Sequence, residues 1–199
     1  MNRTVISSFL VLLCSVFSAI GQGQKAPDPC SLQIIAIEAA LGEPTALNNL
    51  AVEFYRGENV PRDYSKAASL WRQAVKTGAV GAHNNLGYLT YYGLGVKQNF
   101  AEGIRLWRVA AINGFHESQV HLADAYSDGK YLRPNYIEAY AWATAGKHFA
   151  SKDDDPGAVK AITEMADEVL NDVSSKLNEK QLTIASRKAN IYITRYAPK

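Results

Sequence analysis

Residues 84–96, NNLGYLTYYGLGV, concentrate three tyrosines and three glycines in thirteen positions, two of the glycines in a Gly93-x-Gly95 turn. Such a turn serves either a ligand or the fold. The surrounding chain favours the fold, because Gly93 has counterparts 36 residues away on each side, Gly57 and Gly129, and Leu86 likewise has Leu50 and Leu122. The same offset relates Ala51, Gly87 and Ala123; Val60, Val96 and Leu132; and Asp63, Asn99 and Asn135. It also relates Tyr64, Phe100 and Tyr136; Ala67, Gly103 and Ala139; and Leu70, Leu106 and Trp142. A fixed period of this length is the mark of stacked supersecondary repeats.

The units run over 46–81, 82–117 and 118–153, and the helix-ending Gly42, Gly78 and Gly114 carry the period back into a half repeat at 32–45. Each unit reads as two helices. Ala46, Leu50, Ala51 and Phe54 form one apolar stripe and Ala67, Leu70, Trp71 and Ala74 a second, both at helical spacing. Gly57, Gly93 and Gly129 suit the left-handed close of a first helix, and Asp63, Asn99 and Asn135 suit the cap of a second. Glu102 and Glu138, three residues after their caps, predict capping boxes. The small residues at 51, 87 and 123 predict close approach of neighbouring helix backbones. Beyond a charged loop from Ser151 to Gly157, two helices are expected. One carries the stripe Val159, Ile162, Ala166, Val169, Leu170 and Val173; the other carries Leu182, Ala185, Ala189, Tyr192 and Tyr196 behind the cap pair Asn178 and Gln181. Residues 154–199 thus read as a helical cap on an all-α, right-handed solenoid.

The run 84–96 followed by N-F-A-E-G-I-R-L-W-R-V-A-A-I-N-G at 99–114 resembles the Sel-one-like repeats, helix-turn-helix units of the tetratricopeptide type, and the likeness extends over 32–153. The chain departs from that pattern at Thr90, where the family prefers tyrosine, at Ala150 in place of a closing glycine, and at Lys130-Tyr131-Leu132 in place of the Gly-x-Gly-Val turn. The resemblance implies a binding scaffold, since such proteins act as adaptors, periplasmic regulators, host-interaction factors or immunity proteins that grip a toxin.

Ahead of the repeats, Asn2 and Arg3 precede an apolar run from Val5 to about Ala19. Residues 1–21 read as a secretory signal peptide cut after Gly21, with Ser18 and Gly23 also compatible, and 22–31 as a linker. The run is short for a membrane span and contains serines. A lipidation site at Cys14 is disfavoured by bulky Leu13 before it. Export to the periplasm is therefore expected, without membrane insertion after cleavage. Only Cys30 then remains, so no internal disulfide can form and stability has to come from close packing.

A hydrophobic fraction of 47% and a charged fraction of 20% suit one folded domain. Without Arg3 the chain has 20 basic and 19 acidic side chains, a net charge of +1. The basic residues are scattered along the sequence, which argues against nucleic acid. The turn at Gly93-x-Gly95 lacks the preceding strand and the lysine of a phosphate loop. His83, His116, His121 and His148 show no metal-ligand spacing. The aspartates at 153–155 lack the glycine and distal glutamate of a calcium loop. No nucleophile has a positioned base in any local motif, so neither a catalytic residue nor a cofactor is expected. Trp71 and Trp107, 36 apart on apolar stripes, read as core.

One feature points outward. With Leu50, Ala51 and Phe54 buried, a rotation of 100° per residue turns 48, 52, 55 and 56 away from the core. The equivalents in the next unit are Asn84, Tyr88, Tyr91 and Tyr92. Tyr55 and Arg56 precede them, and Asp124 and Asp128 follow. These eight residues predict a concave strip that binds another protein or a peptide, since tyrosine and arginine are favoured interface anchors. The expected role is a non-enzymatic adaptor or regulator of the bacterial envelope. An immunity protein against an exported toxin, and an envelope enzyme acting on glycan or a lactam, are the alternatives.

Overall fold

The computed structural model describes residues 29–198. The expected signal peptide, its cleavage site and Cys14 lie outside them. The elements are α1 (Pro29–Ala40), α2 (Pro44–Arg56), α3 (Tyr64–Lys76), α4 (Val80–Tyr92), α5 (Phe100–Ile112), α6 (His116–Ser127), α7 (Tyr136–Ala150), α8 (Pro156–Ser174) and α9 (Glu179–Arg195). Among the described residues no strand occurs. The chain divides into two compact units, one reaching to Ala82 and including Leu94–Val96, the other comprising His83–Gly93 and the chain from Lys97 onward.

In the first unit α2 packs on α1 and α3. Gly57, at φ 71°, closes α2 by donating its N–H to the Glu53 carbonyl at 2.9 Å. The chain then reverses, and Asp63 caps α3 by accepting the Lys66 N–H at 2.9 Å. Its own N–H donates back to the Phe54 carbonyl at 2.9 Å. Leu47, Ala51, Ala67, Ala68, Trp71 and Ala74 form the core, with the Trp71 indole N–H donating to Asn48 Oδ1 at 3.1 Å. Leu50, Phe54 and Leu70, expected inside, are only half-buried. Gly95 also serves this unit. A Cβ there would stand 2.5 Å from the Ser65 nitrogen at the start of α3, and the Ser65 hydroxyl donates to the Gly95 carbonyl at 2.9 Å. Protein backbone fills the place that a phosphate-loop reading would give to an anion.

The second unit repeats the same turn twice. Asn99 donates its N–H to the Thr90 carbonyl and Asn135 to the Tyr126 carbonyl, both at 2.9 Å. Their side chains accept the N–H of Glu102 at 3.0 Å and of Glu138 at 3.1 Å. The 36-residue period is therefore a hydrogen-bond period as well as a sequence period. It also corrects the expected capping boxes. Because the cap N–H is already taken by the carbonyl nine residues back, Glu102 pairs with Arg105 instead, and Glu138 turns to Lys188 and to Tyr192, whose hydroxyl donates to it at 2.7 Å. Among the described residues only Asn178 and Gln181 form the reciprocal pair, at the head of α9.

Tyr91, Ile104, Trp107, Leu122, Trp142, Val169 and Val173 belong to one core cluster. α8 covers α6 and α7, burying Ile162, Ala166, Val169 and Val173, and α9 lies on α7 with Ala185 and Ala189 inward. The Tyr192 and Tyr196 rings rest on Trp142 at 4.2 and 5.5 Å between centroids. Gly87 has a second task besides the one expected. A Cβ there would come within 2.8 Å of Trp107 Cδ1 and 3.3 Å of the Gly103 carbonyl oxygen, so glycine makes room for an indole as well as for the backbone of α5. That indole donates to the Asn84 carbonyl at 3.2 Å, 36 residues on from the Trp71 contact with Asn48.

Candidate functional site

Helix α4 sets the site, and it is buried on nearly every side: Asn84, Leu86, Gly87, Leu89, Thr90 and Tyr91 are all inside. Tyr88 is half-buried, and Tyr92 is 46% exposed. Beside it α6 carries Glu117, His121, Asp124 and Asp128 at i, i+4, i+7 and i+11, which puts them on one face. The two rows meet rung by rung. Asn84 Nδ2 donates to Glu117 Oε2 at 2.9 Å, and the Ser118 hydroxyl donates to Asn84 Oδ1 at 2.6 Å. One turn on, the Tyr88 and His121 rings lie 6.0 Å apart, with Tyr88 also 4.6 Å from Tyr92. At the last rung the Tyr92 phenol is held above its ordinary pKa by burial and then by the charge of Asp124, with Tyr88 and Asp128 adding to it.

Two of the expected strip residues do not face solvent. Tyr91, 6% exposed, enters the core between Phe100, Trp107 and Tyr131, with ring centroids at 5.1, 4.7 and 5.6 Å. Asn84, 1% exposed, is the polar staple between α4 and α6 described above. A helix enclosed on most sides has no single polar face, so rotation from an apolar stripe cannot place its outward residues. Tyr55 and Arg56 belong to the first unit, where Tyr55 is half-buried against Tyr64 and Trp71, and Arg56 is exposed. The second unit brings together Tyr88, Tyr92, Asp124 and Asp128 at its surface, with Asp124 and Asp128 both exposed.

A groove of about 410 Å³ continues this face between α6 and α8. Val120 and Val169 form its floor, Met165 an apolar edge, and Asp124, Asp128, Glu168 and Asp172 its rim. Lys176 also lines it, but it is bound to Asp172 at 2.7 Å. Among the described residues no lysine or arginine pairs with Asp124, Asp128 or Glu168. Burial, Asp128 and Glu168 raise the Asp124 carboxyl above its usual pKa against an opposing effect of His121. Sequence reasoning missed the α8 rim, although Glu164, Glu168 and Asp172 recur at i+4 opposite the apolar stripe. Deeper in, His121 stacks on Trp107 at 4.6 Å, and its buried Nε2 stands 3.8 Å from Glu117 Oε1, outside hydrogen-bonding distance. Burial pulls the Glu117 carboxyl upward, but the charges of His121 and His116 and the hydrogen bond from Asn84 hold it below its usual pKa. Among the described residues no group of three or more His, Cys, Asp or Glu is set to hold a metal.

The Sel1 repeat matches residues 44–78, 80–115 and 116–145, just over half of the chain. The chain belongs to the Sel1 repeat family. Sel1 repeats are in general non-enzymatic scaffolds for protein–protein interaction. Among solved structures, a protective antigen present in uropathogenic Escherichia coli strains and displaying an SLR fold is 26% identical, with a TM-score of 0.75. The alignment covers 96% of this chain and 38% of that one, so this chain spans well under half of that antigen's length. A Sel1 repeat protein from Oxalobacter formigenes is 21% identical, with a TM-score of 0.52, over 67% of this chain and 98% of that one, and shares the fold. No curated protein matches the chain. The all-α fold class of helix-turn-helix repeats read from the sequence is thus the fold class of its solved relatives.

Proposed function

We propose that this Sel1 repeat protein is an adaptor or regulator of the bacterial envelope, exported by its N-terminal segment, which grips a protein partner on the α4–α6 face. The observation that carries the reading is Tyr92. It is the exposed tyrosine of a largely enclosed helix, and among the described residues no lysine or arginine pairs with the carboxylates beside it. An exposed ring next to unpaired charge is unfavourable for the isolated chain and suits an interface, where both find partners. The adjoining groove favours an extended segment that offers lysine or arginine to Asp124, Asp128 and Glu168 and an apolar side chain to Met165.

The test is crosslinked capture from the native envelope fraction, run with the parent and with Tyr92→Ala/Asp124→Asn/Asp128→Asn. A protein taken by the parent and lost by the variant, with unchanged helicity in both, supports the reading. Equal capture by both places the binding surface elsewhere and removes it.

A further inference from the structure

The second surface with a composition of its own is the outer face of α9. Lys180, Ile184, Arg187, Ile191 and Arg195 follow one another at intervals of four, three, four and four, and all five are exposed. Helical winding sets these intervals in a single row. Their spacing along the chain hides that row, and the scattered bases of the sequence become a cation–isoleucine–cation–isoleucine–cation stripe about 22 Å long at 1.5 Å per residue. Ile184 is 45% exposed and Ile191 57%. The opposite face of α9 is fully occupied: Ala185 and Ala189 are buried, Tyr192 and Tyr196 lie on Trp142, and Lys188 is taken by Glu138. None of the three outward cations has a carboxylate partner among the described residues. Glu179, at the first turn, is the one acidic residue of the helix.

We propose that this face lies on an anionic lipid bilayer, with the cations among the headgroups and the two isoleucines at the boundary of the acyl chains. Charge complementarity selects an anionic surface. The geometry selects a bilayer over an acidic protein. The row is the convex outer side of one helix, and neither the groove at α6–α8 nor the cavity beside Phe115 and Phe149 borders any of the five residues. A protein partner anchors through side chains that fill pockets, whereas a fluid surface yields to a convex row without them. Among the described residues no helix is long and apolar enough to cross a membrane, so the association is peripheral.

Three cations, each worth about fivefold in binding to an anionic surface, make the attachment reversible and salt-sensitive. The experiment is cosedimentation of the full chain with vesicles of phosphatidylglycerol and phosphatidylcholine, against phosphatidylcholine alone. The expected result is binding to the anionic vesicles only, abolished by high salt. It should fall on the order of a hundredfold in Lys180→Gln/Arg187→Gln/Arg195→Gln and be retained in Lys180→Arg/Arg187→Lys/Arg195→Lys. Ile184→Ser/Ile191→Ser should weaken it while leaving the salt dependence in place. Because all five side chains are exposed, these variants keep the parent's circular dichroism and melting temperature. Equal binding to both vesicle types, undiminished binding by the glutamine variant, or no vesicle binding beside salt-sensitive binding of polyglutamate would each overturn the proposal; the last would assign the row to an acidic protein.

Discussion

Tyr91 and Gly103 meet where α4 crosses α5: a Cβ on Gly103 would stand 2.7 Å from Tyr91 Cβ and 3.0 Å from the Tyr91 backbone. The tyrosine is core because its neighbour has no side chain. Since the obstacle includes backbone, Gly103→Ala cannot be absorbed by a rotamer change, and it should destabilise the protein by about 1–3 kcal/mol. Tyr91→Ala opens a cavity among Phe100, Trp107 and Tyr131 and should cost about 3–5 kcal/mol. Urea titration of both variants checks these values. Loss of partner capture in Tyr91→Ala would therefore report on folding, and Tyr92→Ala, at an exposed ring, is the variant that reports on binding.

Asn84 satisfies two groups at once, donating to Glu117 and accepting from Ser118. Asn84→Ala removes both bonds inside the protein and should cost about 1–3 kcal/mol, the range for leaving a buried polar group unmet. Ser118→Ala should cost less alone and almost nothing when added to Asn84→Ala, because the hydroxyl then has no acceptor to lose. A double-mutant cycle by thermal denaturation measures that coupling, and additive losses would refute the staple.

These two residues also mark where sequence reasoning stops. The 36-residue offset carried the helices, the turn glycines and the caps, since each needs a residue type that its own local geometry demands: left-handed φ at Gly93, a side-chain acceptor at Asn99. Burial of α4 depends on what surrounds it, and no pattern within 84–92 records that. Asn84 is polar yet internal, and Tyr91 amphipathic yet internal, so both were placed outside by a rotation rule that assumes one buried face. The α9 stripe was hidden for the opposite reason: its cations are seven and eight residues apart in sequence and adjoin only after winding.

The charge on the candidate face makes a prediction with a definite sign. Burial and the charges of Asp128 and Glu168 raise the Asp124 pKa in the folded chain. The folded state therefore holds more of this proton than the unfolded state as pH climbs from the ordinary carboxylate value to the raised one, and the Asp124 contribution to stability declines through that window. Asp124→Asn should raise the melting temperature slightly at neutral pH, within about 0.5 kcal/mol for a carboxylate partly open to solvent, and give no gain near pH 3. Glu117, with its pKa lowered, has the opposite sign: its contribution is present above the ordinary carboxylate value and is lost as pH falls through the lowered one. Melting temperatures of the parent, Asp124→Asn and Glu117→Gln across pH 3 to 8 separate the two, and a neutral-pH loss in Asp124→Asn would contradict the strained-charge account.

Glu138 ties α9 to α7 through both oxygens, one paired with Lys188 and the other accepting the Tyr192 hydroxyl at 2.7 Å. Burial, together with the same contact, holds the Tyr192 phenol above its ordinary pKa. Glu138 is 19% exposed and Lys188 34%, so solvent weakens the ion pair without removing it. Glu138→Ala should cost about 1.5–3 kcal/mol, the range for hydrogen bonds to a charged group, and Tyr192→Phe less, since its ring remains on Trp142. Among the described helices the main partner of α9 is α7, so the loss should be local. Hydrogen exchange should accelerate in the amides of α9 while those of α5 and α6 keep the parent's protection. Uniform acceleration throughout the second unit would mean instead that α9 is part of its cooperative core.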